Sequence, residues 1–321
     1  MPWYDLPLEQ LRTYRTATPE PDNLDAWWSE RLRDAREQAK PVTITRHEPD
    51  LYGPAEVHDV EFSGANGDRI KAWYLRPANR ETSAVCVKYI GYGGGRGAPA
   101  EHMLLPALGY AVLVMDTRGQ GGRWTFGATG DGDGGGPENS QVMTRGILSP
   151  ETYYFTRLIT DAALAVDAAA ELAGPDARIG VCGGSQGGGL SLAAAALHGD
   201  RIAVCQPDVP FLCDVQRAIT LAPSTPYTEI PEFLAHNGHL ADRALDTLRY
   251  VDCALLARRV TAPTLMTVSL MDPIVPPSTV FAAYNEITAA KEIAVHPYSG
   301  HEVPHSHSET WIRHLREHLP A

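Results

Sequence analysis

A serine stands in the string Gly183-Gly184-Ser185-Gln186-Gly187, directly after the apolar run Arg178 to Cys182 and just before the alanine-rich run Leu190 to Leu197. A strand that turns sharply into a helix would hold Ser185 exposed above a sheet. Such a turn needs small neighbours at Gly183 and Gly187, because its backbone is strained and closely packed. A serine hydroxyl becomes a useful nucleophile only when an imidazole takes its proton and a carboxylate holds that imidazole in the right tautomer. Asp272 follows the apolar run Thr264 to Leu270, and His301 follows Ile293 to Tyr298. Both therefore stand just past strand ends, where ligand-facing groups of open parallel sheets sit, and the stretch between them has room for one helix. Asp208, after the preceding apolar run, is the rival acid. Glu302 adjoins His301 but points the other way on an extended chain.

Attack on an ester carbonyl creates an oxyanion, which needs two preorganised donors worth about 10²–10³ in rate each. The backbone N–H of Gln186 is one candidate. The second is the N–H of Tyr92, in the glycine loop Gly91-Tyr92-Gly93-Gly94-Gly95 that follows the run Ala84 to Ile90. Gly91 and the Tyr92 ring would then form a wall of the substrate pocket.

Two other motifs share these residues. Gly93-x-Gly95-x-x-Ala98, with Asp116 ending the next strand, approaches a dinucleotide-binding fingerprint; Pro99 stands where its helix should open, and the glycines are already needed around the oxyanion. His301-Glu302-Val303-Pro304-His305 matches a zinc-protease string, but Pro304 disfavours helix at Val303 and leaves His301 outside any helix that starts there. His305 and His307 read instead as solvated residues opening a last helix. No metal and no cofactor is expected.

The elements that must position these groups are short continuous apolar runs, Ala84 to Ile90, Tyr110 to Met115, Arg178 to Cys182, Ile202 to Gln206, Thr264 to Leu270 and Ile293 to Tyr298. Strands buried on both faces read this way. The fold class is therefore α/β, with a mainly parallel central sheet and helices on both faces, supplied in part by Thr160 to Leu172, Gly188 to Leu197 and Ser308 to Leu319. Before the sheet come an amphipathic helix, Leu24 to Ala39, with Trp27, Trp28 and Leu32 on one side and Asp22 or Asn23 as cap, and an antiparallel hairpin, Val57 to Phe62 and Ile70 to Leu75. A single domain over 1–321 is expected, with an N-terminal helical arm at 1–45. It would carry a Gly-rich insertion at 119–150, suited to a site or an interface, and a second insertion at 208–250. The second, with Phe211, Pro226, Tyr227 and His236, suits a lid or pocket wall, or else is a surface excursion without contact to substrate.

Composition narrows the function. The 321 residues carry 27 Lys and Arg against 39 Asp and Glu, a net charge of −12, which repels phosphate backbones and anionic lipids. Nucleic-acid and membrane partners are not expected. The five cysteines form no Cys-x-x-Cys pair and read as buried free thiols. The start Met1-Pro2-Trp3-Tyr4-Asp5 lacks the basic and apolar stretches of a signal peptide, so the expected location is cytoplasmic.

Read together, the chain resembles the acetyl xylan esterase and cephalosporin C deacetylase family, carbohydrate esterase family seven. The matching pieces are Asp5-Leu6-Pro7-Leu8 with Leu11-Arg12 and Tyr14, Gly91-Tyr92, Asp116-Thr117-Arg118-Gly119-Gln120-Gly121, Met143-Thr144-Arg145-Gly146-Ile147, the Ser185 string, Asp272 with Pro276-Pro277-Ser278-Thr279-Val280-Phe281, and His301-Glu302. The resemblance implies an α/β-hydrolase fold, Ser185, Asp272 and His301 as triad, and Tyr92 and Gln186 as oxyanion donors. It also implies release of acetyl groups from small acetylated sugars and cephalosporin C, a homo-hexamer of paired trimers with 119–150 at a subunit interface, and Arg118 and Gln120 as braces of the site. Val275 stands where the family often has Cys, and Val303-Pro304 where it often has glycines. The alternatives are a general carboxylesterase or peptidase on the same fold, and a catalytically silent hydrolase fold used for binding.

Overall fold

The computed structural model describes residues 3–132 and 141–321. The strands expected from the apolar runs form β4 (Ala84–Tyr89), β5 (Ala111–Met115), β6 (Arg178–Gly184), β7 (Ile202–Asp208), β8 (Thr264–Ser269) and β9 (Lys291–His296), and the hairpin forms β2 (Ala55–Ser63) and β3 (Arg69–Pro77). A strand not anticipated from the sequence, β1 (Thr43–Arg46), pairs with β2 and is exposed along its length. Lacking a buried face, it carries no apolar alternation to read. The nine described strands are ordered β1-β2-β3-β5-β4-β6-β7-β8-β9. Pairing is antiparallel from β1 to β3 and from β3 to β5, and parallel through the remaining six strands.

Alternate residues of the central strands enter different layers: Val85, Val87 and Tyr89 pack into one core, Ala84 and Cys86 into another. This is why β4 reads as uninterrupted apolar sequence. The larger layer holds α1 (Leu8–Leu11), α2 (Leu24–Glu37), α4 (Tyr154–Ala173), α5 (Gln186–His198), α9 (Cys253–Leu256) and α10 (Pro277–Glu286), and the smaller holds α3 (Leu104–Leu108) and α11 (Ser308–His318). Strand β9, at the edge, is only half-buried. All five cysteines are buried and free. No helix of the described residues is long and apolar enough to cross a membrane.

Helix α2 buries Trp27, Trp28 and Leu32 as its pattern requires. Its cap differs from expectation: Asn23 occupies the position without capping through its side chain, and its Oδ1 accepts instead from the Tyr250 hydroxyl at 2.9 Å. The segment 208–250 is mostly helical, with α6 (Val215–Leu221), α7 (Glu229–His236) and α8 (Ala241–Arg249). Of the Gly-rich segment at 119–150, residues 133–140 lie outside the described residues.

The stretch after β5 is anchored by a fully buried ion pair. Arg118 donates from Nε to Asp161 Oδ2 at 2.5 Å and from Nη2 to Asp161 Oδ1 at 2.7 Å, while Nη1 reaches Asp68 at 2.9 Å. Asp161 also accepts from the Ala65 N–H at 2.8 Å. The pair thus joins the hairpin turn, helix α4 and the start of the Gly-rich segment. Removing one partner of such a pair strands a charge in the interior, at a cost of about 3–5 kcal/mol. Urea unfolding of Arg118→Met should therefore show a loss of about that size, whereas a loss below about 1 kcal/mol would mean that the charge is solvated.

Candidate active site

Strand β6 runs into helix α5 at Ser185, whose φ of 57° and ψ of −119° lie where non-glycine residues are rarely found. The surroundings enforce that conformation. A Cβ on Gly183 would come within 2.7 Å of the Tyr89 carbonyl oxygen, and one on Gly187 within 2.3 Å of the same atom. Ser185 N–H donates to the Asp208 carbonyl at 2.8 Å, and the Ser185 carbonyl accepts from Phe211 N–H at 2.9 Å. The hydroxyl is left facing a cavity of about 560 Å³, which Ser185 lines with His301, Gly91, Tyr92, Trp124 and Pro226.

The structure brings His301 and Asp272 together. Asp272 Oδ2 meets His301 Nδ1 at 2.7 Å, and Oδ1 accepts from the N–H groups of Ile274 and Val275 at 2.8 and 2.9 Å. The carboxylate is 1% exposed, so its two lone-pair faces are divided between the imidazole and its own loop. The His301 loop is pinned in turn, because Ser269 Oγ donates to the Glu302 carbonyl at 2.7 Å. From the far end of the chain the Tyr4 hydroxyl donates to the Asp272 carbonyl at 2.5 Å, and Asp5 accepts from the N–H of Ser278 at 2.7 Å and from Arg217 at 3.0 Å. Among the described residues no hydrogen bond joins the Ser185 hydroxyl to His301, although both line the same cavity; catalytic hydrogen bonds commonly tighten only once substrate is bound.

Asp208, the rival acid, accepts from Thr267 Oγ1 at 3.1 Å and lines a neighbouring cavity. Burial pushes its carboxyl up to about 7. The zinc string is not on a helix: His301 and Glu302 lie in a bend and Pro304 is extended with ψ of 140°. Of the two histidines expected in solvent, His305 is exposed, but His307 is buried at the foot of α11. Asp116 turns inward rather than toward a ligand, accepting from the N–H groups of Arg96 and Ala128 and from the Thr129 hydroxyl at 2.6–2.8 Å.

The backbone N–H groups of Tyr92 and Gln186 donate to no described residue. Their loops are tied to each other through Gln120. Its Oε1 accepts from Gly93 N–H at 2.6 Å, and its Nε2 donates to Gln186 Oε1 at 2.9 Å, while Gln186 Nε2 donates to the Ile90 carbonyl at 3.1 Å. A residue that the sequence did not single out holds the other side. Glu229, on α7, accepts from the Tyr92 hydroxyl at 2.8 Å and from Met143 N–H at 3.0 Å, and Val142 N–H donates to the Tyr92 hydroxyl at 3.0 Å. Burial raises the Glu229 carboxyl above its ordinary value, and the bonds from Met143 and Tyr92 oppose that rise. Nothing local marks Glu229, because its partners are far away in the chain. Trp124 Nε1 donates to the Tyr92 carbonyl at 2.9 Å. The segments 119–150 and 208–250 thus both reach the pocket, the second also through Thr225 and Pro226.

The family model described as acetyl xylan esterase matches residues 1–318. Among solved structures, the chain is 34% identical to the acetyl xylan esterase from Paenibacillus sp. R4, with a TM-score of 0.86 over 98% of this chain and 100% of that one. It is 32% identical to acetyl xylan esterase 1 from Thermoanaerobacterium sp. JW/SL YS485, with a TM-score of 0.88 over 99% and 100%. Acetyl esterase Axe7A of Xylanibacter ruminicola is 26% identical over 299 residues, which are 91% of this chain; the match spans 65% of that relative's length. The solved relatives share the α/β-hydrolase fold that the mostly parallel sheet displays.

Asp208 generates a pH dependence of known sign. Its carboxyl binds a proton more tightly in the folded chain, up to about 7 against 3.8, so its contribution to stability falls as pH rises through that window. Between pH 4 and 7 the melting temperature of Asp208→Asn should rise relative to that of the unsubstituted protein. A constant difference across the window would show that Asp208 titrates normally.

Proposed function

Since the chain belongs to the acetyl xylan esterase family, we propose that it is a serine esterase that removes acetyl groups from small acetylated xylo-oligosaccharides through an acyl-enzyme. The observation that carries the reading is the His301 Nδ1 to Asp272 contact of 2.7 Å beside a cavity into which the strained turn presents Ser185. Ser185 Oγ attacks the acetyl carbonyl carbon as its proton passes to His301 Nε2. Asp272 keeps the Nδ1 proton in place and stabilises the imidazolium that forms.

The N–H groups of Tyr92 and Gln186 receive the oxyanion of the tetrahedral intermediate. When that intermediate collapses, the bond from the acetyl carbon to the sugar oxygen breaks, and the leaving alkoxide takes the proton from His301. Water then repeats the sequence in reverse roles, releasing acetate and freeing Ser185. Arg118 and Gln120 brace these groups without touching the reacting atoms. The same reading extends to a cytoplasmic location, and to cephalosporin C as substrate and a homo-hexamer, the last two resting on the family resemblance alone.

Acetate release from acetylated xylobiose and from p-nitrophenyl acetate tests the proposal. Ser185→Ala, matched for folding by circular dichroism, should lose about 10⁶-fold in kcat, and Asp272→Asn about 10⁴-fold through the wrong imidazole tautomer. Near-normal turnover in either variant would overturn the triad, and hydrolysis of the aryl ester without the sugar ester would overturn the substrate class. Glu229→Gln leaves one acceptor oxygen where the carboxylate has two, and so weakens the hold of Glu229 on the Tyr92 hydroxyl and Met143 N–H. It should lower kcat about tenfold with little change in KM, because the Tyr92 N–H acts in the transition state; a change confined to KM would place Glu229 in ground-state binding instead.

A further inference from the structure

A second cavity of about 250 Å³ opens beside the first, on the α3 and α11 face of the sheet. Lys88, Glu101 and His102 line both cavities. The far wall of the second is the chain that follows His301, from Val303 to Ser308, together with Trp311 and the half-exposed Leu104.

Its lining mixes apolar surface with polar groups that have capacity to spare. One Asp208 oxygen takes the Thr267 hydroxyl, and the other has no partner among the described residues. His307 is 6% exposed and its Nε2 is buried, likewise without a partner among the described residues. Lys88 Nζ lies 3.2 Å from His102 Nδ1, and His102 Nε2 is 2.8 Å from the Arg96 carbonyl. Burial and the Lys88 ammonium hold His102 down to about 4, so its ring is neutral and accepts from Lys88. Two of the ammonium's three protons remain for a ligand.

We propose that this second cavity is the alcohol-side subsite, holding the sugar ring next to the acetylated one. The inference rests on the esterase reading above and adds the place of the leaving group. His301 hands its proton to the departing sugar oxygen, so the alcohol portion must lie on the His301 side of the tetrahedral carbon. The second cavity is walled by the residues that follow His301, on that side. A pyranose ring presents C–H faces that suit Leu104, Pro304 and Trp311, and hydroxyls that pair with Lys88 and Asp208. The volume is that of about eight waters, enough for one pentose ring and too small for a stretch of polymer.

The test compares acetylated xylose, acetylated xylobiose and p-nitrophenyl acetate as substrates of the full chain. The unsubstituted protein should show a higher kcat/KM for the xylobiose ester than for the xylose ester. Leu104→Trp, which fills the mouth from an exposed position, should lose about tenfold on the xylobiose ester, mainly in KM, and stay within about twofold on the aryl ester. Trp311→Leu, which enlarges the same cavity, should split the substrates in the same way. Equal effects of both variants on all three substrates, or no preference for the disaccharide in the unsubstituted protein, would overturn the subsite while leaving the esterase intact. Hydrolysis of the aryl ester alone would overturn the sugar reading and the subsite with it.

Discussion

The buried Arg118–Asp161 pair is the constraint on which the site's geometry depends. Two charges without solvent exposure persist only where geometry and additional hydrogen bonds offset their desolvation, and here both carboxylate oxygens and three guanidinium nitrogens find partners. The pair fixes Arg118, and the Arg118 carbonyl accepts from the Tyr154 hydroxyl at 2.5 Å. Two residues on, Gln120 donates to the same hydroxyl at 2.9 Å and links the glycine loop to the turn after Ser185. The separation between two free N–H groups, one in the loop after β4 and one at the start of α5, is therefore set from outside the pocket by a charge pair that never meets substrate.

The local stereochemistry of the Ser185 turn has the same logic at shorter range. A φ of 57° on a serine costs of order 1–3 kcal/mol. The cost is borne because Gly183 and Gly187 let the turn press against the Tyr89 carbonyl, and because backbone bonds from Asp208 and Phe211 grip the serine on both sides. Rigidity here keeps the proposed nucleophile in position without help from the substrate.

What the sequence made legible was what short-range physics dictates. Strand-to-helix turns, apolar runs and the small residues at 183 and 187 placed β4 through β9 to within a few residues, and put Ser185, Asp272 and His301 past the ends of their strands. Groups that act through long loops were hidden. Glu229 looks like an ordinary first-turn acid of α7, yet its carboxylate meets the Tyr92 hydroxyl. Strand β1, exposed along its whole length, has no alternation to betray it. His307 looked like a solvated residue at a helix start, and is buried because a half-buried imidazole, His296 of β9, packs against it with ring centroids 5.4 Å apart.

The grip of Tyr4 and Asp5 on the loop of Asp272 has a consequence for the order of assembly. Translation makes Tyr4 268 residues before Asp272, and Asp5 273 residues before Ser278. Loop closure over so long a separation is slow relative to local structure. Tyr4 and Asp5 must therefore wait unpaired until Asp272 and Ser278 have been made, and the loop of Asp272 is closed by residues synthesised long before it.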